Sequence, residues 1–209
     1  MRVKKENFNK KLLVEGNDDQ HVIWALCEKF TITENFDIID CEGITKLFDQ
    51  LPIRFKQSGI ETIGFIIDAD AELAIRWSSI KTVLSNSGFI MPNDLPEGGL
   101  ILKHEDGIKI GIWIMPNNNL NGMLEDFIAF LVPDNDKLLP IVNSTLDSIE
   151  IQGLNPYSMT HKSKATIHSW LAWQADPGTP MGQSITKKYL STEVQTCQKL
   201  VDWLTELFK

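Results

Sequence analysis

The sequence predicts an α/β fold: a mainly parallel sheet covered by helices, then a β-hairpin and a C-terminal helical extension. Two observations carry this. Up to about residue 90, short apolar runs alternate with stretches of helical periodicity, giving β-α-β-α-β-α. Beyond that point the order changes to a hairpin pattern followed by helices alone. The expected division is a core over 1–132, containing a hairpin at 100–116, and a helical extension over 133–209 packed on it.

The elements follow in order. "KLLVEG" (11–16) is an apolar run ending at Gly, the first strand. "DDQHVIWALCEKF" (18–30) places Val22, Ile23, Leu26, Cys27 and Phe30 on one helical face, with Asp18 and Asp19 at the end where negative charge favours a helix. "FDIIDCEG" (36–43) is the second strand, and 44–59 is helical with a kink or break expected at Pro52. "ETIGFIID" (61–68) is the third strand, and 71–88 is a helix closed by Gly88. A Pro/Gly-rich loop (91–99) precedes "LILKHEDGIKIGIWIMP", a hairpin turning at Asp106-Gly107. Helices are expected at 123–132, 136–151 (interrupted or started near Pro140), 161–175 and 191–208, with a polar loop at "NNNLNG" and a turn-rich loop at 176–182. In the last helix Val194, Cys197, Val201, Leu204 and Phe208 share one side.

Bulk properties narrow the function classes. The chain has 209 residues, 43% hydrophobic and 23% charged, which suits one folded domain with a modest extension and argues against disorder. Its net charge of -8 argues against a broadly basic, nucleic-acid-coating surface. Cys27, Cys41 and Cys197 form no CxxC pair and leave an odd count, so a reducing, cytoplasmic setting is expected in place of a disulfide framework. "MRVKKENFNKKLLVEG" lacks the apolar run of a secretory signal, and no apolar run is long enough for a membrane span.

The chemistry-bearing feature is "GFIIDAD" (64–70), a buried-type strand that ends in two carboxylates, Asp68 and Asp70. Along a strand, residues i and i+2 share a face, so the two can converge on a divalent cation. Hard oxygen donors suit Mg²⁺ or Mn²⁺. Read alone, the pair fits a helix cap at Asp70 as readily. Glu15 changes the balance. Right-handed crossovers place the carboxyl ends of parallel strands along one edge, and Glu15, Asp68 and Asp70 all fall there. Glu15 is placed as a third ligand or a general acid/base.

Together "LLVEGNDD" at the first strand and "FIIDAD" at the third resemble the TOPRIM domain of topoisomerases, bacterial primases, rRNA-maturing ribonucleases and overcoming-lysogenization-defect nucleases. That family has Glu-Gly after the first strand and DxD after the third strand of a Rossmann-like sheet, matched here by Glu15-Gly16 and by Asp68 and Asp70. The match covers residues 8–90. "IWIMPNNNLNGMLEDF" (112–127) and "HKSKATIHSWLAWQADPGTPMG" (161–182) resemble small standalone bacterial TOPRIM-like proteins. The resemblance to the nuclease branch implies further roles. Asp19, four positions after Glu15, joins the metal site. Glu125, with Asp126 beside it, belongs to a second metal. Lys164 or Lys162 contacts the reacting phosphate. Met123 stands where that branch has a Ser before the later Glu.

These readings imply a Mg²⁺- or Mn²⁺-dependent phosphodiesterase acting on DNA or RNA through local contacts, or with affinity supplied by a partner protein. The alternative is a non-catalytic metal- or nucleotide-binding regulatory module, with the end of the last helix offered to a partner. Tyr157 and Tyr189 have no topoisomerase-like context, so cleavage by water is preferred over strand passage. His104, His161 and His168 lack zinc-site spacing and carboxylate partners nearby, and read as surface or packing residues; His21 lies close enough to Glu15 to approach the site. The six Trp read as core.

Overall fold

In the computed structural model, which describes residues 6–105 and 107–209, five strands form one sheet in the order β2-β1-β3-β5-β4. The strands are β1 (Lys10–Val14), β2 (Asp37–Asp40), β3 (Thr62–Asp68), β4 (Leu100–Lys103) and β5 (Lys109–Met115). The first three pair in parallel, β5 joins β3 in parallel, and β4 runs antiparallel on the outer edge of β5. The architecture is Rossmann-like α/β with a mostly parallel sheet, as the alternation of elements predicts. Of the expected hairpin turn, Asp106 lies outside the described residues; the flanking His104 N–H donates to Ile108 O at 2.8 Å.

Both faces of the sheet are covered, which is why its strands read as nearly continuous apolar runs. On one face, α2 (Ile44–Phe55) and α3 (Leu73–Asn86) bury Leu47, Leu51, Trp77, Ile80 and Leu84 against Leu13, Phe65, Ile67 and Ile112. On the other face, Leu12, Val14, Ile66, Trp113 and Met115 meet a larger helical layer. That layer contains α1 (Asn17–Phe30), α4 (Leu124–Leu131), α5 (Leu138–Ile151), α6 (Lys162–Ala172), α7 (Met181–Thr186) and α8 (Gln195–Phe208). Residues 133–209 therefore share a hydrophobic core with the sheet.

Glycines set how closely α8 approaches. Gly64 and Gly111 are register partners on β3 and β5. A Cβ at either would stand 2.6 or 2.4 Å from Leu207 Cδ2, so only hydrogen fits beneath the helix. At the end of α8, Phe208 packs within the chain: it stacks on Phe36 with ring centroids 3.8 Å apart, and its carbonyl accepts from Asn35 Nδ2 and Lys10 Nζ.

Local chemistry explains the departures from the expected elements. Pro52 lies inside α2 without ending it. Pro140 falls in the first turn of α5, where its missing N–H has no intrahelical partner to lose. The short α7 was not expected. It carries Gly182, whose Cβ would stand 2.5 Å from the His21 carbonyl oxygen, so α7 lies almost against the α1 backbone. Trp24 and Trp173 are exposed, unlike the buried Trp77, Trp113, Trp170 and Trp203. All three cysteines are free and buried, and among the described residues no helix is long and apolar enough to cross a membrane.

Candidate metal centre

The carboxyl edge of the sheet gathers acids from four elements. Glu15 follows β1 directly. The backbone N–H of Asp68, the last residue of β3, donates to Glu15 Oε2 at 3.2 Å. Asp19 sits in the first turn of α1, its carboxylate accepting the Gly16 N–H at 3.1 Å. Asp68 Oδ1 accepts the Leu124 N–H at 3.0 Å, so the N-terminus of α4 is aimed at it, the end where a helix favours an anion. Glu125, the next residue of α4, is 4% exposed.

The local sequence builds this corner through loop chemistry. Asp70 and Gly122 exchange both backbone hydrogen bonds at 2.8 Å, tying the loop after β3 to the loop before α4. Gly122 has φ +136°, and a Cβ there would stand 2.5 Å from Asp126 Oδ2, so glycine is required on both counts. The polar "NNNLNG" run is a scaffold. Asn118, 3% exposed, accepts the Ile114 N–H at 2.7 Å; Asn117 accepts from Asn119 and Leu120; Asn121 accepts from Leu73 at 2.9 Å. Asn and Asp do this where a loop must turn back on itself.

Asp70 does not continue the alternation of β3. Its φ is +54°, outside the strand, and its side chain is paired with Arg76 of α3. It is not the N-cap of α3 either; that position belongs to Glu72. Glu15, Asp19 and Asp68 are brought together, while Asp70 stands at their margin, engaged by a cation.

The electrostatics separate the acids into two groups. Burial pushes the Asp68 carboxyl up to about 9, and Asp19, Glu15, Glu125 and Asp70 add to the shift. Burial, then Glu15, pushes Asp19 up to about 7, with Glu125 also contributing, and burial raises Glu15. Burial also pushes Glu125 upward, but His168, its own backbone and Lys164 outweigh it and hold Glu125 below the usual carboxylate range. Lys164 Nζ lies 3.5 Å and His168 Nε2 3.8 Å from the same Glu125 Oε1. Lys162 turns away, to Asp147 at 2.7 Å and Glu150 at 2.8 Å. Of the two lysines, Lys164 is thus the one near the acids.

Two residues near the site went unforeseen. The only signal the sequence carries for Arg76 is its position one turn into the helix after DxD. His168 was read as lacking a carboxylate partner, yet Glu125 lies beside it; the sequence hint was its place four residues after Lys164, on one helical face. His21, considered for the site, packs edge-on against Trp24 at 5.1 Å.

Among the described residues, no three His, Cys, Asp or Glu groups already form an assembled metal-holding set. The donors nonetheless suit a hard cation: they are carboxylate oxygens from rigid elements, and the buried Asp19 Oδ1 has no hydrogen-bond partner. A groove of about 1030 Å³ opens elsewhere, along β2 and α1 past Trp24, Phe36 and Asp40, and none of Glu15, Asp19, Asp68 or Glu125 lines it.

Fold and site together describe an α/β protein with an acidic centre at the carboxyl edge of its sheet. The chain belongs to the family described as Protein of unknown function (DUF3226), whose model matches residues 9–209. No curated protein matches it. Among solved structures it is similar to the C-terminal region of the OLD protein of Xanthomonas campestris pv. campestris, at 11% identity and a TM-score of 0.45, covering 96% of each chain.

Proposed function

We propose that this chain is a Mg²⁺- or Mn²⁺-dependent phosphodiesterase of TOPRIM type acting on DNA or RNA. The observation that carries the reading is the gathering of Glu15, Asp19 and Asp68 at the carboxyl ends of β1 and β3, with a buried Asp19 oxygen left unpartnered. The matched family model is not a TOPRIM model, so the TOPRIM reading rests on the residues themselves.

Glu15, Asp19 and Asp68 would hold the ion, and Asp70 would join them on leaving Arg76. When bound, such an ion neutralises charge on a phosphate and lowers the pKa of a water. The chain contributes the rest. The α4 N-terminus fixes Asp68 in orientation. Arg76 and Lys164 stand on different elements beside the acids, α3 and α6, where each can face a phosphodiester oxygen.

The test compares wild type with an Asp68→Asn, Asp70→Asn double variant on single-stranded DNA, duplex DNA and RNA in Mg²⁺ or Mn²⁺. Cleavage by the wild type that the variant lacks is expected. Metal uptake without cleavage of any substrate sinks the nuclease reading and leaves a regulatory metal- or nucleotide-binding module. The Asp70–Arg76 pairing favours that second reading, because it withholds one acid of the DxD pair from an ion.

A further inference from the structure

We propose that the groove along β2 docks an extended, lysine- or arginine-bearing segment of a partner protein, which adds to the sheet as a further strand. None of the acids gathered at the candidate metal centre lines this groove, so docking there stands apart from the chemistry proposed for them.

The backbone supplies the first reason. Among the described residues, β2 is an edge of the sheet and pairs with β1 alone. All four of its residues line the groove of about 1030 Å³, so the cavity follows the strand itself. Cys41 N–H donates to Val14 O at 3.0 Å. Alternation along the ladder therefore points Asp37 and Ile39 at β1 and turns the backbone N–H and C=O of Ile38 and Asp40 to the open side. Gln20 Nε2 meets the Ile38 carbonyl there at 2.6 Å, a side-chain contact where a central strand would have a neighbour. An edge whose polar groups face outward is a template for strand addition. The exposed Trp24 and Phe8 also line the groove and offer apolar seats for alternate side chains of an added strand.

Charge selects the occupant. Six carboxylates line the groove, and among the described residues no Lys or Arg does. Glu6, Asp37 and Glu42 are met from outside it by Lys11, Arg54 and Lys46. Glu28, Glu34 and Asp40 form no ion pair among the described residues, and they come from three places: α1, the loop after it, and β2. A second copy docking by the same edge would set these carboxylates against their own counterparts, and like charges across an interface reject it. A nucleic-acid backbone is rejected for the same reason. A segment with Lys or Arg at alternate positions and apolar residues between them satisfies both the carboxylates and the Trp24 and Phe8 surface.

The test is fluorescence anisotropy with the full chain and a fluorescein-labelled octapeptide of alternating Lys and Val, across a salt series. An octapeptide of alternating Glu and Val is the charge control. A fully N-methylated Lys–Val octapeptide keeps the charge but cannot donate to a strand. The wild type is expected to bind the Lys–Val probe more weakly as salt rises, to bind the N-methylated form at least about tenfold more weakly, and not to bind the Glu–Val form. A Glu28→Gln, Glu34→Gln double variant is expected to weaken binding roughly five- to tenfold, and Trp24→Ala by a similar factor. Asp134→Asn with Asp202→Asn makes the same charge change on exposed residues outside the groove and is expected to alter binding less than about twofold. Trp24, Glu28 and Glu34 are exposed, so their variants are expected to keep the wild-type melting midpoint, measured alongside. Equal binding of the N-methylated probe, equal losses in the two acid double variants, or no binding of the Lys–Val probe overturns the proposal. Self-association of the wild type in sedimentation velocity, lost in Trp24→Ala, assigns the groove to a second copy and overturns the partner reading. Probe binding that tightens at least about tenfold on removal of residues 1–5 assigns it to the chain's own basic start and overturns that reading as well.

Discussion

Strand β1 has a group of acids at each end, and the two groups are treated oppositely. At its start, Lys11 is 3% exposed and pairs with Asp37 at 2.7 Å and Glu6 at 2.9 Å, while Arg54 holds Glu6 from α2. Asp37 also accepts the backbone N–H groups of Asn7 and Phe8. Burial raises Asp37, but Lys11 and those N–H groups outweigh it, and Arg54 with Lys11 lowers Glu6 despite its burial. At the other end, Glu15, Asp19 and Asp68 are raised; the nearby cations are committed, Arg76 to Asp70 and Lys164 to Glu125. The fold can neutralise carboxylates with its own lysines and does so at one end. Leaving the other end short of positive charge lowers the stability of the chain itself and, on the proposed reading, would favour a cation there, the stability cost that functional sites commonly carry.

The sharpest way to break this contrast is at Lys11. Lys11→Ala leaves Asp37 and Glu6 without their shared cation and is expected to destabilise the fold by about 3–5 kcal/mol, read as a lower urea midpoint. An unchanged midpoint would mean the first cluster is not held by charge pairing.

Asp68→Asn should do the reverse in metal-free protein. Asn keeps the acceptor for the Leu124 N–H while removing a buried carboxyl that must take up a proton on folding. The expected melting midpoint rises by about 2–4 °C, the shift for roughly 1 kcal/mol in a chain of this size. A drop would show that the acid cluster is not a source of strain.

The pH dependence sharpens the same contrast. In the folded, metal-free chain Asp68 and Asp19 keep protons that the unfolded chain releases above about pH 4. Their contribution to stability is present below that pH and is lost as pH rises toward about 7 for Asp19 and about 9 for Asp68. Asp37 and Glu6 are lowered, so theirs is present above the unfolded value and is lost as pH falls through their depressed values. Melts of wild type and Asp68→Asn between pH 5 and 9 should diverge, with the wild type falling more steeply by about 1 kcal/mol or more; parallel curves would contradict the shift. The smallest effect belongs to the exposed pair between Lys46, in the first turn of α2, and Glu42, just before that helix: Lys46→Ala should leave the urea midpoint unchanged.

Much of this was readable from the sequence, and what was not has physical causes. The β-α alternation places Glu15 and Asp68 at one edge because parallel crossovers leave no other arrangement. Asp19 was readable as a helix-start acid, and it is one: one oxygen accepts the Gly16 N–H, while the other, buried, is unpartnered. The orientation of Asp70 was not readable, because strand alternation stops at Asp68 and a positive φ at a non-glycine residue follows from the Gly122 bridge, a contact between loops distant in sequence. The partner of His168 was not readable because the Glu125 carboxylate lies on another helix. The short α7 was missed because its fit depends on Gly182 against α1, which periodicity does not encode.

The most direct test of the central claim is the effect of Mn²⁺ on thermal stability, measured near neutral pH in wild type and in Asp68→Asn. An ion that binds only the folded protein at a hundred times its Kd adds about 2.7 kcal/mol. The account predicts a clear rise in melting midpoint with Mn²⁺ for the wild type and little or none for Asp68→Asn. Equal responses in the two proteins, or none in the wild type, would contradict it.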